Sequence, residues 1–260
     1  MAENFFLETV SLFAMRNEVD CIVLGGSRST GHNDEDSDYD IYVYLNAPLN
    51  IDIRTDILKQ TSKYFEINNT FWETEDECTL NDGVDLEIIY RNIQDMDKHL
   101  HSVLIDGNAS CGYSTCMCYN VFHSKIIHDP HNYYSNLVKK YSFPYPTHLS
   151  ENIVRKNRVL LEGHMPSYNL QIKKAITKRD LVRVNDRIAQ FLASYFDIIF
   201  AINKVYHPGE KNLVQRTLDS CDNLPENYGE NIQKLLSTNS GEVILQTISD
   251  MVTDLDKLIV

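Results

Sequence analysis

The chain has 260 residues, enough for one large or two ordinary globular domains. Of these residues 43% are hydrophobic, a fraction too high for a disordered chain. No apolar run approaches the roughly 18 residues of a membrane span, and the N-terminus lacks the basic start of a secretory signal, so we expect a cytoplasmic protein with no membrane partner. The net charge of −13 argues against DNA or bulk RNA as a partner.

Three of the six cysteines form a cluster, Cys111, Cys116 and Cys118, with His123 nearby. A structural zinc site usually uses closely spaced cysteine pairs, and no second pair follows in this sequence. Free and mostly buried thiols are therefore the favoured interpretation, and a zinc site is the minor alternative.

The predicted elements of the first half alternate between helices and strands. Apolar spacing predicts helices over 3–16, 51–65, 93–106 and 112–123, and a short helix over 27–30 with Ser27 as its N-cap. Buried or β-rich runs predict strands at 21–24, 40–45, 66–72 and 84–90. Residues 32–38 are interpreted as a polar loop.

The clearest linker is Phe143-Pro144-Tyr145-Pro146, and beyond it the pattern is helical almost throughout. The predicted helices are 148–163, 166–179, 181–206, 209–221, 229–237 and 241–258. We therefore expect two domains, 1–143 and 147–260. Residues 150–216 hold twelve Lys and Arg against six Asp and Glu, a pattern that fits either a small polyanion or solvated helix faces. The apolar last helix is compatible with a homodimer.

The most informative stretch joins a glycine pair to two carboxylates. Gly25-Gly26-Ser27 follows a predicted strand, and Asp38 and Asp40 stand ten residues further on, at the start of the next strand. Two carboxylates about 4 Å apart repel by roughly 4 kcal/mol at an effective dielectric constant near 20. A divalent cation with oxygen ligands relieves that repulsion. Asp85 or Glu87, on one face of a later strand, can supply a third carboxylate.

Other motifs fit this stretch poorly. An EF-hand calcium loop beginning at Asp34 would need Gly where Tyr39 stands and Glu where Leu45 stands. The glycines match neither the dinucleotide-binding fingerprint nor the P-loop pattern.

The order of these motifs resembles the polymerase-β-like nucleotidyltransferase superfamily, in which G-[GS], a spacer, an acid–x–acid pair and a third acid on another strand follow one another. It is most similar to the bacterial small-molecule branch, which includes aminoglycoside and lincosamide adenylyltransferases. The resemblance covers the first half and extends weakly into FAINKVYHPGEK at 200–211. It implies an α+β protein: an N-terminal nucleotidyltransferase fold, with a mixed sheet flanked by helices, followed by a C-terminal helical bundle that binds the substrate.

The resemblance also implies an enzyme that transfers a nucleoside monophosphate, expected to be AMP from ATP, to a hydroxyl of a small acceptor. An antibiotic is a candidate acceptor by analogy, and pyrophosphate is the second product. A protein or tRNA acceptor, as in toxin–antitoxin nucleotidyltransferases, and a catalytically silent nucleotide-binding regulatory module remain alternatives.

The family's site residues carry over by position. Gly25, Gly26 and Ser27 would bind the triphosphate, and Asp38 and Asp40 would ligate Mg²⁺, with two ions expected. The remaining candidates are Glu87 as a metal ligand or general base, Asp85 as its alternative, and Arg28 and Lys211 as second-rank nucleotide-binding residues.

Overall fold

A computed structural model describes residues 4–31 and 37–259, so Asp34 and most of the predicted polar loop lie outside the described residues. The chain divides into two compact units. Unit 1 contains the residues up to Leu100 and Asn120–Ser142, and unit 2 contains His101–Tyr119 and the residues from Phe143 onward. The sequence placed residues 101–119 in the first domain, whereas the structure packs them in unit 2.

Helices and strands alternate through the first part of the chain. They are α1 Phe5–Ala14, β1 Val19–Leu24, α2 Gly26–Thr30, β2 Tyr39–Leu45, α3 Ile51–Thr61, β3 Ser62–Asn69, β4 Thr74–Leu80, β5 Asp85–Arg91, α4 Ile93–Leu104, α5 Cys116–His123, β6 Lys125–His128 and α6 Tyr133–Lys140. Helix α4 runs from unit 1 into unit 2, and α5 returns to unit 1.

The described strands form one mixed sheet in the order β3-β4-β5-β2-β1-β6. Strands β2 and β5 pair in parallel, and the other neighbours pair antiparallel. This arrangement confirms the predicted α+β class, because a mixed sheet flanked by helices is followed by a helical part.

One face of the sheet is closed by α1 and α3. Asn4 caps α1 by accepting a hydrogen bond from the amide of Leu7 at 3.1 Å. The helix buries Phe13 against a core that includes Ile41 and Ile88, each 0% exposed. Each fully buried side chain of this size contributes roughly 1.5–3 kcal/mol. Because side chains alternate along a strand, the residues next to Ile41 and Ile88 leave the sheet on its other face.

The structure differs from the predicted elements at several boundaries. Helix α3 ends at Thr61 and β3 starts at once, where the sequence predicted helix to residue 65. Strand β4, strand β6 and helix α6 were not predicted. Ser27 lies inside α2, and the N-cap position belongs to Gly25, so the predicted capping role of Ser27 is wrong.

The chain beyond residue 146 is helical. Its elements are α7 Thr147–Leu161, α8 Tyr168–Thr177, α9 Leu181–Ile202, α10 Leu213–Ser220, α11 Tyr228–Ser237 and α12 Gly241–Asp256. The core of unit 2 is built around α9, where Phe191, Tyr195 and Ile199 are fully buried. The apolar face of α12, including Ile248 and Met251, packs into the same core, which accounts for its pattern without a second copy.

Polar contacts attach residues 101–119 to α7. The side chain of Asn157, fully buried, accepts a hydrogen bond from the amide of Gly112 at 3.0 Å and donates one to the carbonyl of Ser110 at 3.0 Å. Asn152 donates to the carbonyl of Gly107 at 2.8 Å. These bonds satisfy the backbone of an irregular segment inside the unit.

All six cysteines are free thiols; Cys118 is buried and Cys111 exposed. Within residues 4–31 and 37–259, no helix combines the length and apolar character needed to cross a lipid bilayer.

Candidate active site

Asp40 and Glu87 lie side by side on neighbouring strands. They are direct partners in the parallel pairing of β2 with β5, so both side chains leave the sheet on the same face. That face is the one opposite to Ile41 and Ile88. A side-chain hydrogen bond joins Glu87 to Asp40. The strand register therefore holds two acids in contact.

The environment of Glu87 makes it a weak acid. Burial is the largest cause, followed by the hydrogen bond to Asp40 and by the negative charges of Asp40, Glu75 and Glu77, and together they raise the pKa of Glu87 to about 7. Near neutral pH the pair therefore either shares a proton or requires a cation. Acid–base catalysis at physiological pH uses groups with a pKa in this range.

Gly26 brings the backbone against this pair. Its φ is +60°, and a Cβ built on it would lie 1.7 Å from the Oδ2 atom of Asp40. A side chain at this position would therefore collide with the carboxylate. The absence of a side chain lets the Asp40 carboxylate lie directly against the backbone of Gly26.

Gly25 approaches β2 as closely. Its amide donates to the carbonyl of Asp40 at 2.8 Å, and a Cβ on it would lie 2.3 Å from the ring of Tyr42. Two side chains hold the Tyr42 ring. The Arg91 guanidinium lies 4.0 Å from the ring centroid, and Asn120 donates a hydrogen bond to the Tyr42 hydroxyl at 2.7 Å. Gly25 thus packs against a tyrosine ring that Arg91 and Asn120 hold in place.

Arg28, a predicted nucleotide-binding residue, contacts the backbone before β2. Its Nε atom donates to the carbonyls of Ser37 at 3.0 Å and Asp38 at 2.9 Å, and its Nη2 atom also donates to Ser37. Asp38 immediately precedes β2, which begins at Tyr39, so it is not on the strand as predicted. Ser27 is half-buried in α2.

The two alternatives for the third acid have different surroundings. Glu87 contacts Asp40, as described. Asp85 is exposed at the start of β5 and accepts a hydrogen bond from the Thr79 hydroxyl at 2.7 Å. The structure therefore brings Glu87, and not Asp85, to the pair that it forms with Asp40.

Lys211 lies in unit 2, exposed in the turn before α10. The sequence predicted that it opens the helix, whereas α10 begins at Leu213. The predicted helix 181–206 is shorter in the structure, because α9 ends at Ile202 with Asn203 as its C-cap.

Sequence reasoning missed the acids of β4. Glu77 pairs with Glu87 in the β4–β5 register, and Glu75, 5% exposed, also raises the pKa of Glu87 through its charge, after burial and Asp40. The acidic run TEDEC was the available signal, but it lacks the apolar alternation that marks a strand.

The donor set suits a hard divalent cation. In the part of the chain that the structure describes, no three His, Cys, Asp or Glu side chains are grouped so as to hold a metal ion. Nevertheless, Asp40 and Glu87 supply two carboxylates in contact, and the Asp40 carboxylate lies directly against the backbone of Gly26. Carboxylate oxygens are the ligands that Mg²⁺ prefers. Asp40, Glu87 and the nearby Asp38 are the residues that would hold it.

Residues 8–95 match the family model described as Polymerase beta, Nucleotidyltransferase. The matched range contains Gly25, Gly26, Asp40 and Glu87, and it spans α1 to the start of α4. The chain carries a nucleotidyltransferase domain of the polymerase beta family. The predicted polymerase-β-like superfamily is confirmed for this part of the chain. No curated protein matches the sequence.

Solved structures of nucleotidyltransferases are distantly similar to the whole chain. A nucleotidyltransferase-like protein from Exiguobacterium sibiricum has 12% identity and a TM-score of 0.46, covering 98% of this chain and 74% of its own. An aminoglycoside 6-adenyltransferase from Bacillus subtilis has 12% identity and a TM-score of 0.35, and the match covers 97% of this chain and 88% of that protein. A spectinomycin adenyltransferase from Enterococcus faecialis, solved with ATP and spectinomycin, has 12% identity and a TM-score of 0.34, and the match covers 97% of this chain and 98% of that protein.

Proposed function

We propose that this nucleotidyltransferase transfers AMP from ATP to a hydroxyl group of a small-molecule acceptor and releases pyrophosphate. The observation that carries the proposal is the Asp40–Glu87 pair beside Gly26. Two acids in contact provide negative charge for a cation, and Gly26, which has no side chain, brings the start of α2 directly beside them.

The electrostatics of the pair favour metal binding. If both carboxylates are ionised, they repel by about 4 kcal/mol at an effective dielectric constant near 20. Bound Mg²⁺ would neutralise charge on the carboxylates and on the triphosphate, and we propose two ions at this site. Asp38 and Asp40 would be the principal ligands, with Glu87 completing the set.

Gly25, Gly26 and Ser27 would hold the triphosphate against β2. Gly25 is fixed by Tyr42 and by the hydrogen bond from its amide to the Asp40 carbonyl, so the donors that we propose for the triphosphate are the amides of Gly26 and Ser27 and the Ser27 hydroxyl. Preorganised donors of this kind stabilise charge that develops during transfer.

Glu87 is also placed for proton transfer. As the acceptor oxygen forms its bond to the α-phosphorus, the bond from that phosphorus to pyrophosphate breaks, and the hydroxyl proton needs a base. A carboxylate whose pKa is about 7 accepts a proton readily at neutral pH. Glu87 is thus a candidate both for metal ligation and for proton acceptance.

Unit 2 is proposed to select the acceptor, and Lys211 to contribute a positive charge there. The support for both is the sequence: the basic balance of residues 150–216 and the weak family resemblance at 200–211. An antibiotic is one acceptor class to test.

The decisive test has a binding arm and a turnover arm. ATP with Mg²⁺ should raise the Tm of the wild-type protein, and the Asp38→Ala/Asp40→Ala variant should lose that rise. The matched control, Asp56→Ala/Asp95→Ala, removes the same charge from two carboxylates of unit 1 that are each 74% exposed, and should respond like wild type. Equal responses of wild type and the first variant would refute the site.

Turnover should appear as pyrophosphate release with aminoglycosides, lincosamides or other polyhydroxyl compounds. Labelled ATP in a cell lysate should mark a small product. Label on protein or tRNA would instead favour a macromolecular acceptor, and ATP binding without release for any acceptor would favour a silent regulatory module.

A further inference from the structure

Arg28 of α2 contacts the backbone immediately before β2. Its Nε atom is shared between the carbonyls of Ser37 and Asp38, at 3.0 and 2.9 Å, and its Nη2 atom donates to Ser37 as well. The donors of one guanidinium thus hold two successive peptide units nine and ten residues further along the chain. A charged donor strengthens each of these bonds.

The guanidinium is also fixed in place by aromatic packing. Its carbon lies 4.1 Å from the centroid of the Tyr39 ring, and that ring stacks on Phe6 of α1 at 3.9 Å with an interplanar angle of 11°. Since Phe6 is part of the unit 1 core, these contacts connect the backbone of residues 37 and 38 to that core.

The Arg28 contacts hold a part of the backbone that lies outside the strand pairing. The pairing of β2 with β5 runs from Tyr39 to Tyr44 and therefore fixes Asp40 directly. Asp38 precedes this pairing, and its carbonyl accepts the Arg28 hydrogen bond instead. The position of Asp38 relative to Asp40 thus depends on Arg28.

We propose that Arg28 is a positioning residue for the metal-binding carboxylates, which it serves by holding the backbone of residues 37 and 38, and not a phosphate ligand. This inference rests on the proposed function. A phosphate bound by two parallel N–H groups would have to displace the carbonyls that those donors now contact. Lysine cannot replace the arginine, because an ammonium group lacks the planar fork that bridges two carbonyls while stacking on a ring.

The test compares Arg28→Met and Arg28→Lys with a matched control, Lys125→Met. Lys125 is exposed and its Nζ atom donates to the carbonyl of Arg28 at 3.2 Å, so the control removes a positive charge next to α2 without touching residues 37 and 38. Mn²⁺ affinity is measured on the protein alone by electron paramagnetic resonance, and ATP affinity is measured by calorimetry in EDTA.

We expect Arg28→Met and Arg28→Lys to weaken Mn²⁺ binding by about 10- to 100-fold, the usual effect of losing a residue that orients metal ligands. ATP affinity in EDTA should not change, and amide hydrogen exchange at residues 37–40 should become faster in the metal-free protein. The control should match wild type in all three measurements.

A phosphate-binding role predicts the opposite: weaker ATP binding in EDTA with unchanged Mn²⁺ affinity. That result, or unchanged hydrogen exchange at residues 37–40, would overturn the proposal while leaving the proposed function in place. A wild-type protein that binds neither Mn²⁺ nor ATP would refute the proposed function itself, and the positioning role would fall with it.

Discussion

The carboxylate of Asp197 holds Ser114 through two hydrogen bonds. Its Oδ1 atom accepts from the Ser114 amide at 3.0 Å and its Oδ2 atom from the Ser114 hydroxyl at 2.7 Å, across 83 positions of sequence. Asn157 donates a third bond, at 3.2 Å. Asp197 is only 1% exposed, so these donors replace the water that an ionised carboxylate would otherwise require.

This arrangement predicts a pH-dependent stability. Burial, opposed by the bonds from Ser114 and Asn157, raises the pKa of Asp197 from 3.8 to about 6. The folded state therefore binds this proton more tightly than the unfolded state, and the group's contribution to the unfolding free energy is greatest at low pH and is lost as the pH rises through about 6. The full change is about 3 kcal/mol.

Urea unfolding of wild type and Asp197→Asn between pH 4 and pH 8 measures this contribution. The difference between the two unfolding free energies should change across that window, because asparagine does not titrate. Asp219→Asn, an exposed position on α10, is the control and should give a nearly constant difference. A constant difference for Asp197→Asn as well would contradict the prediction.

Gly26→Ala should abolish the stabilisation by Mg²⁺ and ATP. The added methyl group would overlap the Asp40 carboxylate, and the positive φ would add strain of about 1–2 kcal/mol. Gly31→Ala separates the two effects, since Gly31 has a φ of +77° but a Cβ there meets no atom within 4 Å. Gly31→Ala should lower the Tm and keep ligand binding. If both variants bind alike, the close approach of Gly26 to Asp40 is unimportant.

Glu87→Gln should stabilise the metal-free protein and lower its activity. At pH 8, above the pKa of about 7 that burial and Asp40 give Glu87, the wild-type pair is doubly charged, and glutamine removes the repulsion. After allowing for solvent screening, we expect the metal-free protein to gain about 1 kcal/mol, while pyrophosphate release falls about 100-fold or more. Denaturant unfolding and turnover measure the two effects. Asp85→Asn should change neither greatly, and a larger loss of turnover from Asp85→Asn would identify it as the third acid instead.

Arg54→Met should destabilise unit 1 strongly. Arg54 and Asp76 form an ion pair at 3.0 Å with side chains 4% and 0% exposed, and the remaining carboxylate would be left buried without its cation. The expected cost is about 3–5 kcal/mol in urea unfolding. Lys98→Met breaks a pair of similar length, 2.8 Å, that is fully solvated, and should cost less than about 1 kcal/mol. Similar costs for the two variants would show that burial of the first pair is unimportant.

Arg54 also explains why β4 escaped prediction. The buried face of β4 carries Asp76, an acid where a strand normally places an apolar residue, and its partner stands 22 positions earlier in α3. Local alternation cannot reveal a buried charge whose compensation comes from another element. Without β4, the sequence also gave no indication that Glu75 and Glu77 crowd Glu87.

The proximity of Gly25, Gly26 and Asp40 was easier to predict, because these residues lie within one short stretch of sequence. The choice between Asp85 and Glu87 was not, since it depends on the register of β2 against β5, which are separated by 39 residues in the chain. Similarly, the position of Arg28 beside Ser27 in the sequence does not reveal its contacts to the carbonyls of Ser37 and Asp38, which lie nine and ten residues further along the chain.

The excursion of residues 101–119 into unit 2 has a practical consequence for dissecting the protein. A fragment that begins at the Phe143 linker would retain Asp197 and Asn157 and omit Ser114, leaving the carboxylate buried without two of its donors. Cutting at the linker therefore does not yield an intact helical unit. A chimera that exchanges unit 2 with that of a relative must transplant two separate stretches of chain, His101–Tyr119 and the residues from Phe143 onward.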